Sequence, residues 1–128
     1  CYALAAQIAR PGATVVLLMG DGTAGFHFAE FETAHRYGAS LIAVIGHDAR
    51  WNAEYQIQLR DYGPERLNEC ELNMTDYGAA AAGFGCFGAH VEDPNDLDAA
   101  LARALASGKP ACITAAIDGV PAPSGSGH

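Results

Sequence analysis

Two aspartates carry the chemistry open to this chain. Asp21 stands in Gly20-Asp21-Gly22-Thr23, directly behind the apolar run Val15-Val16-Leu17-Leu18-Met19. Asp48 follows 27 positions on, behind Leu41-Ile42-Ala43-Val44-Ile45-Gly46 and His47. Continuous apolar runs of this kind read as parallel strands buried on both faces. Open α/β sheets bind their ligands at the carboxyl ends of such strands. Two carboxylates beside a glycine-lined turn suit a divalent cation and the phosphate it carries.

The spacing Gly20-x-Gly22-x-x-Gly25 also fits the GxGxxG dinucleotide fingerprint, with Asp48 at the tip of the next strand. Charge argues against that alternative. A dinucleotide pyrophosphate rests on bare backbone N–H groups, and Asp21 would lie inside the cradle. Two like charges roughly 5 Å apart repel by about 3 kcal/mol at an effective dielectric of 20. A bridging divalent ion reverses the sign, and Mg²⁺ accepts this mixture of carboxylate, phosphate oxygen and water. A plain structural turn is the third reading.

Positioning these groups requires strands that alternate with helices. Residues 3–10 read as a helix stopped by Pro11-Gly12, and residues 14–19 as a strand. A helix over 28–37 places Phe28, Phe31, Ala34 and Tyr37 near one face and ends at Gly38. Residues 41–45 make the second strand. Residues 48–73 show no clear period beyond a short helix around 54–59. Thr75 is expected to cap a helix over 75–83, and a short strand to pass through 89–91. Asp93, Pro94 and Gly108 bracket a helix with Leu97, Leu101 and Leu105 as its core stripe, before a last strand over 111–117. The fold class is α/β: three layers, α/β/α, around a mostly parallel sheet. One domain is expected over 1–118, with a flexible tail over 119–128. Cys1 opens in the middle of a helical pattern, so the chain reads as a piece of something larger.

With 128 residues, half of them hydrophobic, the chain has one modest core. The net charge of −8, from seven Lys and Arg against fifteen Asp and Glu, disfavours nucleic acid and anionic membrane as partners. The four cysteines lie far apart with no metal-ligand spacing, which disfavours structural zinc. They are expected as free thiols in a reducing, cytoplasmic setting. No apolar run reaches membrane-spanning length.

Gly20-Asp21-Gly22-Thr23 followed by Asp48 resembles the GDG…N(N/D) motif of thiamine-diphosphate-dependent enzymes. The similarity continues through Glu30-Phe31-Glu32-Thr33-Ala34 and Gly46-His47-Asp48-Ala49-Arg50-Trp51. It also takes in the stretch from Asp76 to Gly85 and Ser107-Gly108-Lys109-Pro110-Ala111, and lies nearest the acetolactate-synthase and benzaldehyde-lyase group. The resemblance implies the domain that holds thiamine diphosphate by its Mg²⁺-diphosphate end. Asp21 and Asp48 would ligate the metal through their side chains and Arg50 through its carbonyl. Gly20, Gly22 and Thr23 would hold the diphosphate, and Trp51 would belong to the loop closing over the cofactor. His47 stands where the family's first Asn is usual, and Asn52 where Gly is common.

The resemblance also implies what this chain does not supply. A pyrimidine-binding domain, of the same or a neighbouring subunit, brings the glutamate that activates the cofactor. No residue here is assigned a catalytic role, and the isolated chain is expected to be inactive. The parent would be a homo-oligomeric 2-oxo-acid decarboxylase or carboligase acting on a small 2-oxo acid or aldehyde. A non-catalytic interaction domain on the same fold is the remaining alternative. His47 is expected either to end its strand or to meet cofactor or substrate.

Overall fold

A computed structural model describes residues 1–121. Among the described residues four parallel strands form one sheet in the order β1-β2-β4-β3: β1 (Val16–Gly20), β2 (Ile42–His47), β3 (Phe87–Val91) and β4 (Ala111–Ala116). The helices are α1 (Tyr2–Ala9), α2 (Asp21–Ala24), α3 (Glu30–Arg36), α4 (Asn52–Tyr62), α5 (Tyr77–Ala82) and α6 (Leu97–Ser107), with 3₁₀ turns at Pro64–Arg66 and Pro94–Asp96. Among the described residues no helix is long and apolar enough to cross a membrane.

The central strands bury both faces, as their unbroken apolar sequences require. Ala43, Ile45 and Cys112 face a core shared with Leu4 of α1, Phe31 and Ala34 of α3, and Ala81 of α5. Ile42 and Ile113 face the opposite core, closed by Ala100 and Ala104 of α6. Each of Ile42, Ile45 and Ile113 is fully buried, which stabilises the fold by roughly 1.5–3 kcal/mol per side chain. Asp93 accepts the N–H of Asn95 to start the turn before α6. Gly108 ends that helix in the left-handed conformation, at φ 62°, where a Cβ would be strained.

Several sequence expectations are corrected. β1 is an edge strand and only alternately covered: Leu17 and Met19 pack on the α1–α3 core, while Leu18 is 75% exposed. The stripe that α6 buries is Ala100 and Ala104, with Leu97 and Leu101 half-buried and Leu105 56% exposed. Small residues let the helix lie close to the sheet, and the third leucine faces outward. At the C-cap of α3, Tyr37 turns outward. The cap of α5 is Asp76, whose Oδ1 accepts the N–H of Ala79, rather than Thr75. α4 is longer than expected and contributes no buried residue. Gly119 and Val120 lie against it, their carbonyls accepting from Gln56 and Asn52. Residues 122–128, the rest of the expected tail, lie outside the described residues.

All four cysteines are free, and Cys70, Cys86 and Cys112 are buried. Burial, with Cys86 nearby, pushes the Cys112 thiol from the ordinary 9.0 up to about 12. A raised folded-state pKa means that the neutral thiol's contribution is complete below pH 9 and lost as pH climbs toward 12. Stability is therefore expected to fall across that alkaline window. Cys112→Ser should flatten part of the fall in denaturation curves taken at stepped pH.

Candidate functional site

β1 and β2 run side by side with Gly20 in register with Gly46, so both strands deliver their following residues at one edge of the sheet. Asp21 opens α2 and is 3% exposed. Its Oδ1 accepts the N–H of Gly22 at 2.8 Å. Its Oδ2 accepts Nδ1–H of His47 at 2.7 Å. The His47 side chain is fully buried, and its Nε2 accepts the backbone N–H of Thr75 at 2.9 Å. His47, the last residue of β2, thus also touches Asp21. Tyr77 lies edge-on to the His47 ring and donates its hydroxyl to the Asp21 carbonyl at 3.4 Å. Burial first, and then the Asp21 carboxylate, hold the Tyr77 phenol above its ordinary range.

Asp48 follows one residue after β2, half-buried, with Oδ1 accepting the N–H of Arg50 at 3.1 Å. That side-chain turn places Ala49 in the left-handed region at φ 56°. The chain then pairs with a later segment. Leu72 N–H donates to Ala49, Trp51 N–H donates to Cys70, and Arg50 bridges to Glu71. The excursion that carries α4 is thereby closed at its neck, which fixes the loop bearing Asp48 and Arg50. A left-handed alanine costs about 1–2 kcal/mol, part of which glycine returns as unfolded-chain entropy. Ala49→Gly is expected to raise stability by about 0.5–1 kcal/mol in urea denaturation.

Trp51 lies on the glycine turn: a Cβ at Gly22 would come within 2.8 Å of its ring. Phe26 meets the same ring edge-on, with centroids 5.4 Å apart. Thr23 is exposed at the turn. The Arg50 guanidinium stacks over Tyr55 at 4.5 Å from the ring centroid. It also flanks Gly119, as does Asp48 Oδ2. Sequence reasoning missed Thr75 and Tyr77 as part of this neighbourhood. Their link to His47 and Asp21 spans distant positions and leaves no local signal.

Chemically the site is a pair of carboxylates, with the Arg50 guanidinium flanking the same glycine as Asp48 but ion-paired to neither. Among the described residues no Lys or Arg forms an ion pair with Asp21 or Asp48. The nearest groups donate neutral hydrogen bonds. A buried charge is costly unless it is paired or bound to a metal. The Arg50 carbonyl accepts no hydrogen bond among the described residues, leaving its lone pairs open. Two carboxylates and a carbonyl are hard oxygen donors of the kind that suit Mg²⁺. No group of three or more His, Cys, Asp or Glu side chains is placed to hold a metal among the described residues.

A parallel sheet flanked by helices, with acidic residues at neighbouring strand tips, defines an α/β ligand-binding domain. Residues 1–115 match the family described as thiamine pyrophosphate enzyme, C-terminal TPP binding domain, and the chain belongs to that family. It is similar to a probable acetolactate synthase of Mycobacterium bovis, with 38% identity over 117 residues, 91% of this chain and 21% of the relative. It is also similar to 2-hydroxyacyl-CoA lyase 2 of Danio rerio, with 34% identity over 105 residues, 80% of this chain and 17% of the relative. The fold matches that of benzoylformate decarboxylase from Polynucleobacter necessarius, at a TM-score of 0.81 and 22% identity over 94% of this chain and 23% of that one. The chain spans about a fifth of the length of these relatives. The domain is thus a thiamine-diphosphate-binding one of the acetolactate-synthase-like group, and the dinucleotide and interaction-domain alternatives find no support.

Proposed function

We infer that this chain holds the Mg²⁺-diphosphate end of thiamine diphosphate in a 2-oxo-acid decarboxylase or carboligase resembling acetolactate synthase. The observation that carries the reading is the buried Asp21 carboxylate with only neutral donors around it, next to a strand tip whose Asp48 forms no ion pair among the described residues. Asp21 and Asp48 ligate the cation by side chain and Arg50 by its carbonyl. Gly20, Gly22 and the exposed Thr23 face the diphosphate, and Trp51 covers the turn against water. When bound, the cofactor supplies an electron sink for making or breaking a carbon–carbon bond beside a carbonyl. The substrate is a small 2-oxo acid or aldehyde. The pyrimidine-binding domain comes from the same or a neighbouring subunit of a cytoplasmic homo-oligomer.

Calorimetric titration of thiamine diphosphate into the intact protein tests this. Binding is expected with Mg²⁺ and not with EDTA. Asp21→Ala should weaken it by more than about a hundredfold, since removing even a supporting group of a metal site costs about 10–100-fold. Equal affinity with and without Mg²⁺, or in Asp21→Ala, overturns the assignment.

A further inference from the structure

We propose that His47 is a positioning residue: it aims the Asp21 carboxylate at the cation and ties that carboxylate to the loop before α5. The proposal rests on the metal-diphosphate reading above. Its ground is a three-part chain, Thr75 N–H to His47 Nε2 at 2.9 Å and His47 Nδ1–H to Asp21 Oδ2 at 2.7 Å, with the imidazole fully buried and the carboxylate nearly so. Thr75 donates to Nε2, so that nitrogen carries a lone pair and the ring proton sits on Nδ1. The same backbone amide therefore fixes the tautomer and the direction in which His47 donates. Gly22 N–H holds the other Asp21 oxygen. Both oxygens are thus oriented by a single donor each, and each keeps a lone pair for a ligand. Donors that orient a ligating carboxylate typically matter 10–100-fold in metal affinity.

The two arms of His47 separate chemically. In His47→Asn the side-chain amide nitrogen falls where Nδ1 stands, which keeps a donor toward Asp21 and drops the link to Thr75. In His47→Gln the longer amide reaches the place of Nε2, which keeps an acceptor for Thr75 and drops the donor to Asp21. His47→Leu keeps neither. Cofactor affinity and the Mg²⁺ concentration at half-saturation are measured calorimetrically in the intact protein, alongside melting temperature. His47→Asn should bind Mg²⁺-thiamine diphosphate within about threefold of wild type while melting lower. His47→Gln and His47→Leu should bind at least tenfold more weakly and need more Mg²⁺.

A purely structural histidine gives another pattern, in which affinity follows melting temperature or does not move. That result, or Gln outperforming Asn, overturns the proposal. In the wild type, ¹⁵N spectroscopy of the ring should show the proton on Nδ1; a proton on Nε2 overturns it without any variant. Wild-type affinity in Asp21→Ala sinks the metal-diphosphate reading itself. Loss in Asp21→Ala with full affinity in His47→Leu sinks only the positioning role.

Discussion

Gly88→Ala is expected to cost about 3 kcal/mol or more and to lower the melting temperature by many degrees. A Cβ at Gly88 would overlap the Gly78 carbonyl, and one at Gly78 would lie 2.7 Å from Ala89 N and closer still to its carbonyl oxygen. Both obstacles are backbone, so no side chain can swing aside. Overpacking that forces backbone shifts costs typically 1–3 kcal/mol, sometimes more. Here it strikes from both partners of one contact. α5 is also pinned at this point by Gly78 N–H donating to the buried Thr114 hydroxyl on β4 at 2.9 Å. Displacing α5 moves Thr75 and Tyr77 away from His47 and Asp21, so site and fold should fail together. Thermal melting of Gly78→Ala and Gly88→Ala against Gly12→Ala checks this, because a Cβ at Gly12 meets nothing within 4 Å. Melting temperatures that match for all three would refute the close-approach argument.

The elements closest to the site were the most legible in the sequence. β2 is apolar on both faces because both are covered, and β1 and β2 each empty into an aspartate, so pattern and position agree. What escaped was decided by neighbours rather than by local pattern. α4 carries no apolar period because it buries nothing among the described residues. Leu18 and Leu105 look like core by composition, yet β1 is the sheet's edge and α6 seats its alanines. Gly78, inside a helix of alanines, and Gly88, inside a strand, were the visible hints of direct helix–strand contact, since an isolated glycine in a strand often marks close backbone approach. His47 was legible as an unusual residue at a strand tip. Its link to Thr75 depends on how the loop before α5 returns to the sheet, and spacing does not encode that.

Asp48 should separate ligation from turn-building. Asp48→Asn is expected to retain thiamine diphosphate affinity within about tenfold, whereas Asp48→Ala loses about a hundredfold. An amide oxygen can still accept the Arg50 N–H now held at 3.1 Å, and can still ligate Mg²⁺. The change removes one negative charge where Asp48 Oδ2 and the Arg50 guanidinium flank the same glycine, Gly119. Hence some weakening remains. Alanine removes both ligand and turn, leaving Ala49 at φ 56° without the side-chain bond that supports it. Adding Ala49→Gly to Asp48→Ala should therefore restore melting temperature and leave the affinity loss in place. If the double variant recovers cofactor binding as well, Asp48 serves the loop's conformation alone, and the cation is held without it.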